Sequence, residues 1–275
     1  MNGPARALGH TGLEEDQALR FGREGVLRIE ALFTAAEVAV LERALPEIAA
    51  PERAEVVLDE GGMVRMSHGA HLYNETFSRL SRHPRLVEPA RALLAGEVYV
   101  YQTRLNVKPP LDERAARGYP WHQDFSTWHF RDGLPEPRIL TSFVLLDEIT
   151  ACNAPLITIP GSHRRGVIRD GGGRIEDGRY EQVRISPRTL LVMAATGVTA
   201  QTGPAGTVVF MHGCIAHASS ANVSPLRRAM FSIVYCAVGN QPRKETTPER
   251  YVARSFEAVR TLSDDCLARP NRPFR

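Results

Sequence analysis

The sequence predicts a mainly β protein with flanking α-helices, whose core is a double-stranded β-helix, or jelly roll. From residue 98 onward, short runs of β-branched and aromatic residues alternate with turns that contain Pro and Gly. Many short strands at such spacing are typical of an antiparallel barrel or a double-sheet jelly roll. The predicted strands cover residues 98–108, 121–125, 140–147, 156–159, 207–211 and 231–238.

Helices are predicted mainly in the part of the chain that precedes these strands. Thr34 and Glu37 have the spacing of a capping box, in which each side chain satisfies a backbone N–H of the other residue. A second helix is predicted from about residue 84 to 95, and Gly96 is expected to end it in the left-handed conformation.

The chain is predicted to form one domain over residues 1–275, because no linker-like stretch divides it. Its parts are a helical N-terminal region to about residue 97, a jelly-roll core over about 98–240 and a C-terminal helix over about 247–262. The last prediction rests on a Pro near the helix start, followed by an amphipathic run.

The composition argues against a nucleic-acid or membrane partner and against an oxidising compartment. The 34 basic and 31 acidic residues nearly balance, which argues against a nucleic-acid or membrane partner. The four cysteines show no metal-binding or disulfide spacing and are expected to be free thiols in a reducing compartment. With no apolar leader or membrane span in sight, a soluble cytoplasmic protein is expected.

A candidate metal site comes from His122 and Asp124, with His217 far downstream. Two imidazoles and one carboxylate hold non-haem Fe(II) on one face and leave positions open for substrate and oxygen. If residues 121–125 form a strand, the side chains of His122 and Asp124 leave the same face. Zinc hydrolysis is a weaker alternative, because the sequence lacks a motif such as HExxH that would supply a general base.

Arg228 lies eleven residues after His217, on the next predicted strand. A 2-oxoglutarate site needs a guanidinium there, because the carboxylate that does not bind iron is held by two parallel charge-assisted hydrogen bonds. The alternative is a surface arginine beside Arg227. Among the other histidines, His71 is the better candidate for substrate contact, and His68 is expected to be structural.

These residues resemble the phytanoyl-CoA dioxygenase superfamily of Fe(II)/2-oxoglutarate oxygenases, roughly over residues 19–241. Within it, the match is strongest to ectoine hydroxylases and bacterial free-proline 4-hydroxylases. The resemblance implies a cupin-like jelly-roll fold, and Fe(II), 2-oxoglutarate and O₂ as cofactor and co-substrates. It rests on the order of the segments 98–108, 121–128, 145–148, 154–156, 159–163 and 203–206.

The resemblance also implies roles for individual residues, with each residue named where it matches the family pattern. The iron ligands, which are also the catalytic residues, would be His122, Asp124 and His217. The 2-oxoglutarate contacts would be Arg228, Asn106 and Ser219, with Lys108 either approaching the co-substrate or lying at a solvated strand end. The substrate contacts would be Gln102, Thr127, Trp128, Phe125 and Met230.

Departures from the ectoine pattern bear on the substrate. Gln123 and Ser126 stand where that pattern has Ser and Glu, and Met230 and Cys236 stand where it has Asn. A thioether in place of an amide leaves a polar ring group of the substrate unpaired, which costs about 1–3 kcal/mol. The iron chemistry is therefore better supported than ectoine as the substrate.

The leading hypothesis is a hydroxylase of a small, polar, amino-acid-derived substrate, such as ectoine or a proline-like imino acid, with release of succinate and CO₂. The alternatives are a tailoring oxygenase of a larger natural product, acting by hydroxylation, desaturation or ring formation, and a catalytically silent jelly-roll binding protein. A homodimer is compatible with the sequence. Residues 164–201 are long for a connection, and are either a lid or tolerated surface.

Overall fold

The computed structural model describes residues 12–59, 61–111, 118–170, 174–177, 180–244 and 247–270. The α-helices are α1 Glu15–Glu24, α2 Ala35–Ile48, α3 Glu75–Ser81, α4 Pro84–Leu94, α5 Asp124–Arg131 and α6 Pro187–Met193. The strands are β1 Val26–Ile29, β2 Val56–Leu58, β3 Val64–His68, β4 Val98–Lys108, β5 Tyr119–His122, β6 Ile139–Leu145, β7 Leu156–Thr158, β8 Arg174–Asp177, β9 Tyr180–Val183, β10 Thr199–Gln201, β11 Val208–His212, β12 His217–Ser219 and β13 Arg228–Ala237.

The predicted jelly roll is confirmed as two antiparallel sheets. The larger sheet has seven strands in the order β1-β11-β6-β13-β4-β3-β2, and the smaller has four in the order β10-β7-β12-β5. The predicted strand over 98–108 is found with the same bounds. Strand β1 pairs with β11, and β2 and β3 extend the same sheet beyond β4, so the N-terminal region contributes strands as well as helices.

The two faces of the larger sheet have different roles. Residues such as Leu105, Phe231 and Ile233 belong to the main hydrophobic core, which also contains the buried side chains of α2, α3 and α4. The alternate residues of β4 and β13, among them Asn106 and Met230, point the other way, because successive side chains leave opposite faces of a strand. The candidate site lies on that second face.

Helix termini follow the predicted chemistry with one change. The Thr34 N–H donates to the Glu37 carboxylate at 2.8 Å and the Glu37 N–H donates to the Thr34 hydroxyl at 3.3 Å, so the capping box at α2 is present. Helix α4 ends at Ala95, which takes the left-handed conformation with φ 51°. The prediction that Gly96 would take it was wrong by one residue.

The predicted C-terminal helix over about 247–262 is wrong. This part of the chain consists of turns followed by a stretch without regular secondary structure. The Ala253 N–H donates to the Tyr101 carbonyl at 2.9 Å, and the Val259 N–H donates to the Val98 carbonyl at 2.8 Å. The pairing of β3 with β4 does not reach the start of β4, so backbone groups there are left to be paired, and the C-terminal segment supplies partners for two of them. In the described ranges, no helix is long and apolar enough to cross a membrane.

Candidate active site

The three candidate metal ligands lie together between the sheets. His217 opens β12 and is directly opposite His122, the last residue of β5, in the antiparallel register. Their rings are 4.0 Å apart between centroids, and both Nε2 atoms lie near the Asp124 Oδ1, at 3.5 Å from His122 and 3.8 Å from His217. All three residues are buried, and each offers a ligand atom within 4.8 Å of the others.

The route by which Asp124 reaches this cluster differs from the prediction. Residues 121–125 do not form one strand, because β5 ends at His122 and Asp124 is the first residue of α5. The Phe125 N–H donates to the Gly213 carbonyl, which ties the helix start to the connection before β12. Phe125 and Trp128 are both buried, at the i, i+3 spacing of one helix face. A tight strand-to-helix turn therefore brings the two ligands together.

Both imidazoles are held in the tautomer that a metal requires. The His122 Nδ1 lies 2.8 Å from the Pro120 carbonyl, and the His217 Nδ1 lies 3.0 Å from the Ile215 carbonyl. A carbonyl oxygen can only accept, so each Nδ1 carries the proton and each Nε2 presents its lone pair to the cluster. Burial lowers the pKa of His217 to about 3, which keeps this ring neutral at pH 7.

The Asp124 carboxylate is ionised and incompletely paired. Burial by itself raises its pKa, but His217, His122 and Arg104 outweigh that effect, and the net pKa is lowered. Its Oδ2 lies 3.9 Å from the Arg104 guanidinium and has no hydrogen-bond partner among the described residues. A buried carboxylate with a vacant oxygen next to two neutral imidazoles is a donor set that suits Fe(II).

Arg228 is the first residue of β13 and is 3% exposed. Its Nε and Nη1 have no hydrogen-bond partner in the part of the chain that the structure describes. Burial lowers the pKa of Arg228 to about 10, although Asp147 opposes the shift. Leaving a buried guanidinium unpaired is costly, so the site is complementary to an anion such as a carboxylate. Arg227 is instead the surface arginine and pairs with Asp147 and Glu42.

The other predicted co-substrate contacts lie on neighbouring strands. Asn106 is opposite Met230 in the β4–β13 register, and its Nδ2 lacks a hydrogen-bond partner among residues whose positions are described. Ser219 is buried two residues after His217. Lys108 is opposite Arg228, but its ammonium donates to the Ser220 carbonyl at the strand end. Asn106 therefore has an unused donor on the face of the sheet that carries Arg228, and the Lys108 ammonium is engaged by the backbone.

The predicted substrate contacts fall into two groups, of which the first is polar. The Gln102 Nε2 donates to the Tyr251 carbonyl at 2.8 Å, which leaves its buried Oε1 as an acceptor without a partner in the described ranges. The Thr127 hydroxyl is also buried and has no partner from any residue that the structure describes. These two groups can bind polar atoms of a substrate.

The second group is apolar. Phe125 and Trp128 are both 1% exposed and belong to one aromatic cluster, in which the Trp128 ring lies 5.4 Å from that of Tyr101. Met230 is buried with Leu145 and other aliphatic residues between the sheets. These side chains thus lie in two separate apolar clusters, and Met230 offers no strong hydrogen-bonding group on its face of β13.

The sequence analysis missed two basic residues at the site. Arg104 lies between Gln102 and Asn106 on the same face of β4, so the strand period alone could have identified it. Arg250 is half-buried, and its Nε has no partner within the described part of the chain. Its guanidinium lies 5.0 Å from the Tyr251 ring centroid. Residues near 250 carried no pattern that would have placed them here.

The expectation for the two neighbouring histidines is reversed. His68 of β3 is opposite Arg104 in the register and therefore shares the site face. Burial, with Arg104 and Arg250 nearby, lowers the pKa of His68 to about 3. His71 instead lies 2.9 Å from the Thr103 hydroxyl, and Thr103 points to the opposite face of β4. His68 is thus the histidine that borders the site.

Residues 164–201 are attached to the site at two points. The Gln123 amide donates to the carbonyls of Gly166 and Cys214 and accepts from the Ile168 N–H at 2.9 Å. Further along the segment, Arg184 forms a backbone bridge with His122. The glycines at 171–173 lie outside the described residues. The two attached parts therefore lie beside the metal ligands, and a role of the segment as a lid remains a prediction.

Known proteins of similar sequence include enzymes that act on small molecules. The chain is 38% identical over 266 residues to an L-proline trans-4-hydroxylase of Streptomyces griseoviridis, covering 92% of this chain and 97% of that protein. It is 36% identical over 269 residues to an ectoine dioxygenase of Bordetella parapertussis, covering 91% and 86% respectively.

Solved structures agree with this relationship. EctD from S. alaskensis, solved with 2-oxoglutarate and 5-hydroxyectoine, superposes with a TM-score of 0.80 at 32% identity, covering 94% of this chain and 90% of that one. The same protein with bound Fe gives a TM-score of 0.79 at 33% identity, with the same coverage. The sequence profile described as phytanoyl-CoA dioxygenase matches residues 21–230. The chain therefore belongs to the phytanoyl-CoA dioxygenase family.

Proposed function

We propose that the protein is an Fe(II)- and 2-oxoglutarate-dependent dioxygenase that hydroxylates a small, polar, amino-acid-derived molecule. The observation that carries the proposal is the pairing of two incomplete sites between the sheets. One is a buried set of two imidazoles and a carboxylate, and the other is the buried guanidinium of Arg228, whose Nε and Nη1 lack partners in the described ranges. A metal that binds a dicarboxylate satisfies both.

Different residues would bind the iron and the co-substrate. His122, Asp124 and His217 would hold the iron, and three protein ligands would leave it positions for a co-substrate and O₂. Arg228 would bind the carboxylate of 2-oxoglutarate that is distant from the iron, with Asn106 and Ser219 nearby. Bound iron with 2-oxoglutarate and O₂ supplies the oxidising power for hydroxylation of a C–H bond, with release of succinate and CO₂. The protein contributes position and a pocket that excludes water.

The polar groups of the site favour a substrate that carries both charges of an amino acid. Arg104 and Arg250 both lie close enough to His68 to lower its pKa, and they offer guanidinium groups to a substrate carboxylate. The Oε1 of Gln102 accepts hydrogen bonds, which suits a protonated amine. Ectoine and proline-like imino acids both have this pattern.

Met230 bears on the choice between these substrates. It lies on the site face of β13 in a buried apolar cluster, and its thioether sulfur is only a weak acceptor for a ring N–H. A substrate that presents carbon here loses nothing, whereas one that presents a polar atom leaves it unpaired at a cost of about 1–3 kcal/mol. We therefore rank a saturated imino acid above ectoine.

A substrate panel tests this function. The purified protein with Fe(II), ascorbate and 2-oxoglutarate would be offered the free amino acids, cyclic imino acids and ectoine, with succinate and product mass both measured. We expect at least one small zwitterion to raise succinate above the background and to gain the mass of one oxygen atom. Turnover only with larger molecules, or no turnover above the background, would contradict the small-substrate assignment.

We also propose a cytoplasmic location and a homodimer. Cys214, Cys236 and Cys266 are buried free thiols and Cys152 is an exposed one, which suits a reducing compartment. The dimer is tested by sedimentation of the purified protein, where a single monomer-sized species at micromolar concentration would exclude it.

A further inference from the structure

A buried carboxylate outside the metal cluster joins three parts of the molecule. Asp132 directly follows α5 and is 0% exposed. Its two carboxylate oxygens accept hydrogen bonds from the hydroxyls of Tyr101 on β4 and Thr247 near the C-terminus, each at 2.7 Å. Its backbone carbonyl accepts the N–H groups of Arg243 and Lys244. The end of α5, the start of β4 and the C-terminal segment therefore meet at this residue.

The C-terminal segment leads from this junction directly to the substrate side of the site. We call residues 247–253 the C-terminal strap. The strap carbonyl of Tyr251 accepts the Gln102 amide at 2.8 Å, and the Tyr251 ring lies 4.5 Å from that of His68. The Ala253 N–H donates to the Tyr101 carbonyl. Gln102 is thus oriented by the strap, and Arg250 is carried on it.

The far side of the strap rests against Gly69. Gly69 has a φ of +68°, and a Cβ there would lie 3.2 Å from the Arg250 Cα and 3.1 Å from its Cβ. The backbone of the strap therefore lies in close contact with the chain that follows β3. One side of the strap is fixed by this contact, and its beginning is fixed by the hydrogen bond from Thr247 to Asp132.

We propose that Asp132 is a positioning residue for the substrate, because it anchors the strap that orients Gln102 and carries Arg250. The proposal rests on the proposed function. Helix α5 begins with the candidate ligand Asp124 and is directly followed by Asp132, so one helix lies between the metal cluster and the strap. A carboxylate suits this role because it gives two acceptors to two hydroxyl donors, whereas an amide gives one acceptor and one donor group.

The anchor should affect the substrate without affecting the iron or the co-substrate. His122, His217 and Arg228 lie on β5, β12 and β13, and the Asp132 carboxylate accepts from Tyr101 and Thr247 instead. Asp124 is at the opposite end of α5, and loss of the Thr247 hydroxyl leaves that helix intact. A loosened strap should therefore raise the KM for the substrate and lower the amount of hydroxylated product formed per succinate. Decarboxylation of 2-oxoglutarate in the absence of substrate should be unchanged.

Thr247→Val tests the anchor, because it keeps the shape of the side chain and removes only the hydroxyl, and Thr247→Ser is the matched control. In the iron- and 2-oxoglutarate-loaded protein, amide exchange at residues 251–253 should be about tenfold faster in T247V than in T247S, the effect of losing one hydrogen bond to a charged group. The KM for the substrate should rise about tenfold, and the KM for 2-oxoglutarate should stay within about twofold. Tyr101→Phe removes the other hydrogen bond and should act in the same direction.

Two results would overturn the proposal. One is equal amide exchange at residues 251–253 in T247V and T247S, and the other is a parallel rise in the KM values of substrate and 2-oxoglutarate, which indicates general loosening. If no compound produces turnover in the wild type, the proposed function fails, and the exchange comparison still decides whether Asp132 anchors the strap.

Discussion

At the scale of single residues, Arg228 and Arg227 show how neighbours in sequence can have opposite roles. Arg227 forms ion pairs with Asp147 and Glu42 and is 38% exposed at its side chain. Arg228 points into the molecule, and its Nε and Nη1 have no partner in the described part of the chain. Successive side chains along an extended chain point in opposite directions, so Arg227, just before β13, faces away from Arg228. This pair provides a matched test of the co-substrate site.

Arg228→Ala should weaken 2-oxoglutarate binding much more than iron binding. Loss of a buried, hydrogen-bonded charge partner costs about 2–5 kcal/mol, so the KM for 2-oxoglutarate should rise by at least about thirtyfold. Arg227→Ala is the control and should leave that KM within about twofold, because surface ion pairs contribute little. The KM for 2-oxoglutarate and the iron Kd are the quantities to measure. Equal losses of both ligands in Arg228→Ala would mean that this residue is structural.

Asp124→Ala should abolish the iron site itself. Addition of Fe(II) and 2-oxoglutarate to the wild type without oxygen should produce a weak visible charge-transfer band. The variant should lack the band, because one of three protein ligands is gone. Ser126→Ala removes a hydroxyl on the same helix and should retain it. A wild type without the band, indistinguishable from Asp124→Ala, would favour the silent binding protein over the enzyme.

At the scale of elements, helix α2 is held at its start by Glu37. This carboxylate accepts from the Thr34 N–H and also pairs with Arg85 of α4. Burial raises its pKa, but the hydrogen bonds from Arg85 and Thr34 and the Arg85 charge outweigh burial, so the pKa is lowered in the folded state. The ionised form is therefore the one that stabilises the fold.

Glu37→Gln should reduce the free energy of unfolding by about 1–2 kcal/mol at pH 7, the cost of a lost cap with its ion pair. A depressed folded-state pKa contributes stability above the unfolded pKa, near 4.5, and that stability is lost as pH falls through the folded pKa. The stability curves of wild type and variant should therefore converge in acid. Urea unfolding across this pH range measures the effect, and the exposed Glu47→Gln is the control. A difference that persists unchanged in acid would contradict the assignment.

At the scale of the whole molecule, the metal cluster depends on segments that are far apart in sequence. Gln123 lies between two candidate ligands, and its amide joins the connection before β12 to the start of residues 164–201. The same side chain thus holds a wall of the site and the backbone that leads to His217. Removing the Gln123 side chain should therefore loosen both the start of residues 164–201 and the connection before β12.

Gln123→Ala should open residues 164–201 to protease, because three hydrogen bonds of the Gln123 amide, which hold the start of this segment to the connection before β12, are lost. Trypsin cleavage after Arg164, Arg165 and Arg169 should be at least about tenfold faster than in the wild type, as expected when local opening becomes easier by more than about 1.4 kcal/mol. The iron Kd should also rise. Gln241→Ala, at an exposed position, is the control. Unchanged cleavage would mean that other contacts hold this segment.

The parts of the fold predicted correctly were those with a strong local pattern. Strand β4 carries β-branched and aromatic residues at many of its positions. The capping box at Thr34 and Glu37 has a fixed spacing in the sequence. The strand over 121–125 and the helix over 247–262 failed because short or weakly amphipathic segments respond to tertiary partners. Over 121–125, packing of Phe125 and Trp128 favours a helix. Over 247–262, hydrogen bonds to the otherwise unpaired start of β4 favour a non-helical chain.

The sequence by itself determined which chemistry the protein can perform. Only certain side chains bind iron and a dicarboxylate, and His122, Asp124, His217 and Arg228 are identifiable by type and order. The tertiary structure decided how they meet and what surrounds them. The opposition of β5 and β12, the helix that begins at Asp124 and the strap held by Asp132 all depend on contacts between distant residues. Local patterns carry no information about such contacts, because their energy appears only when the segments are packed together.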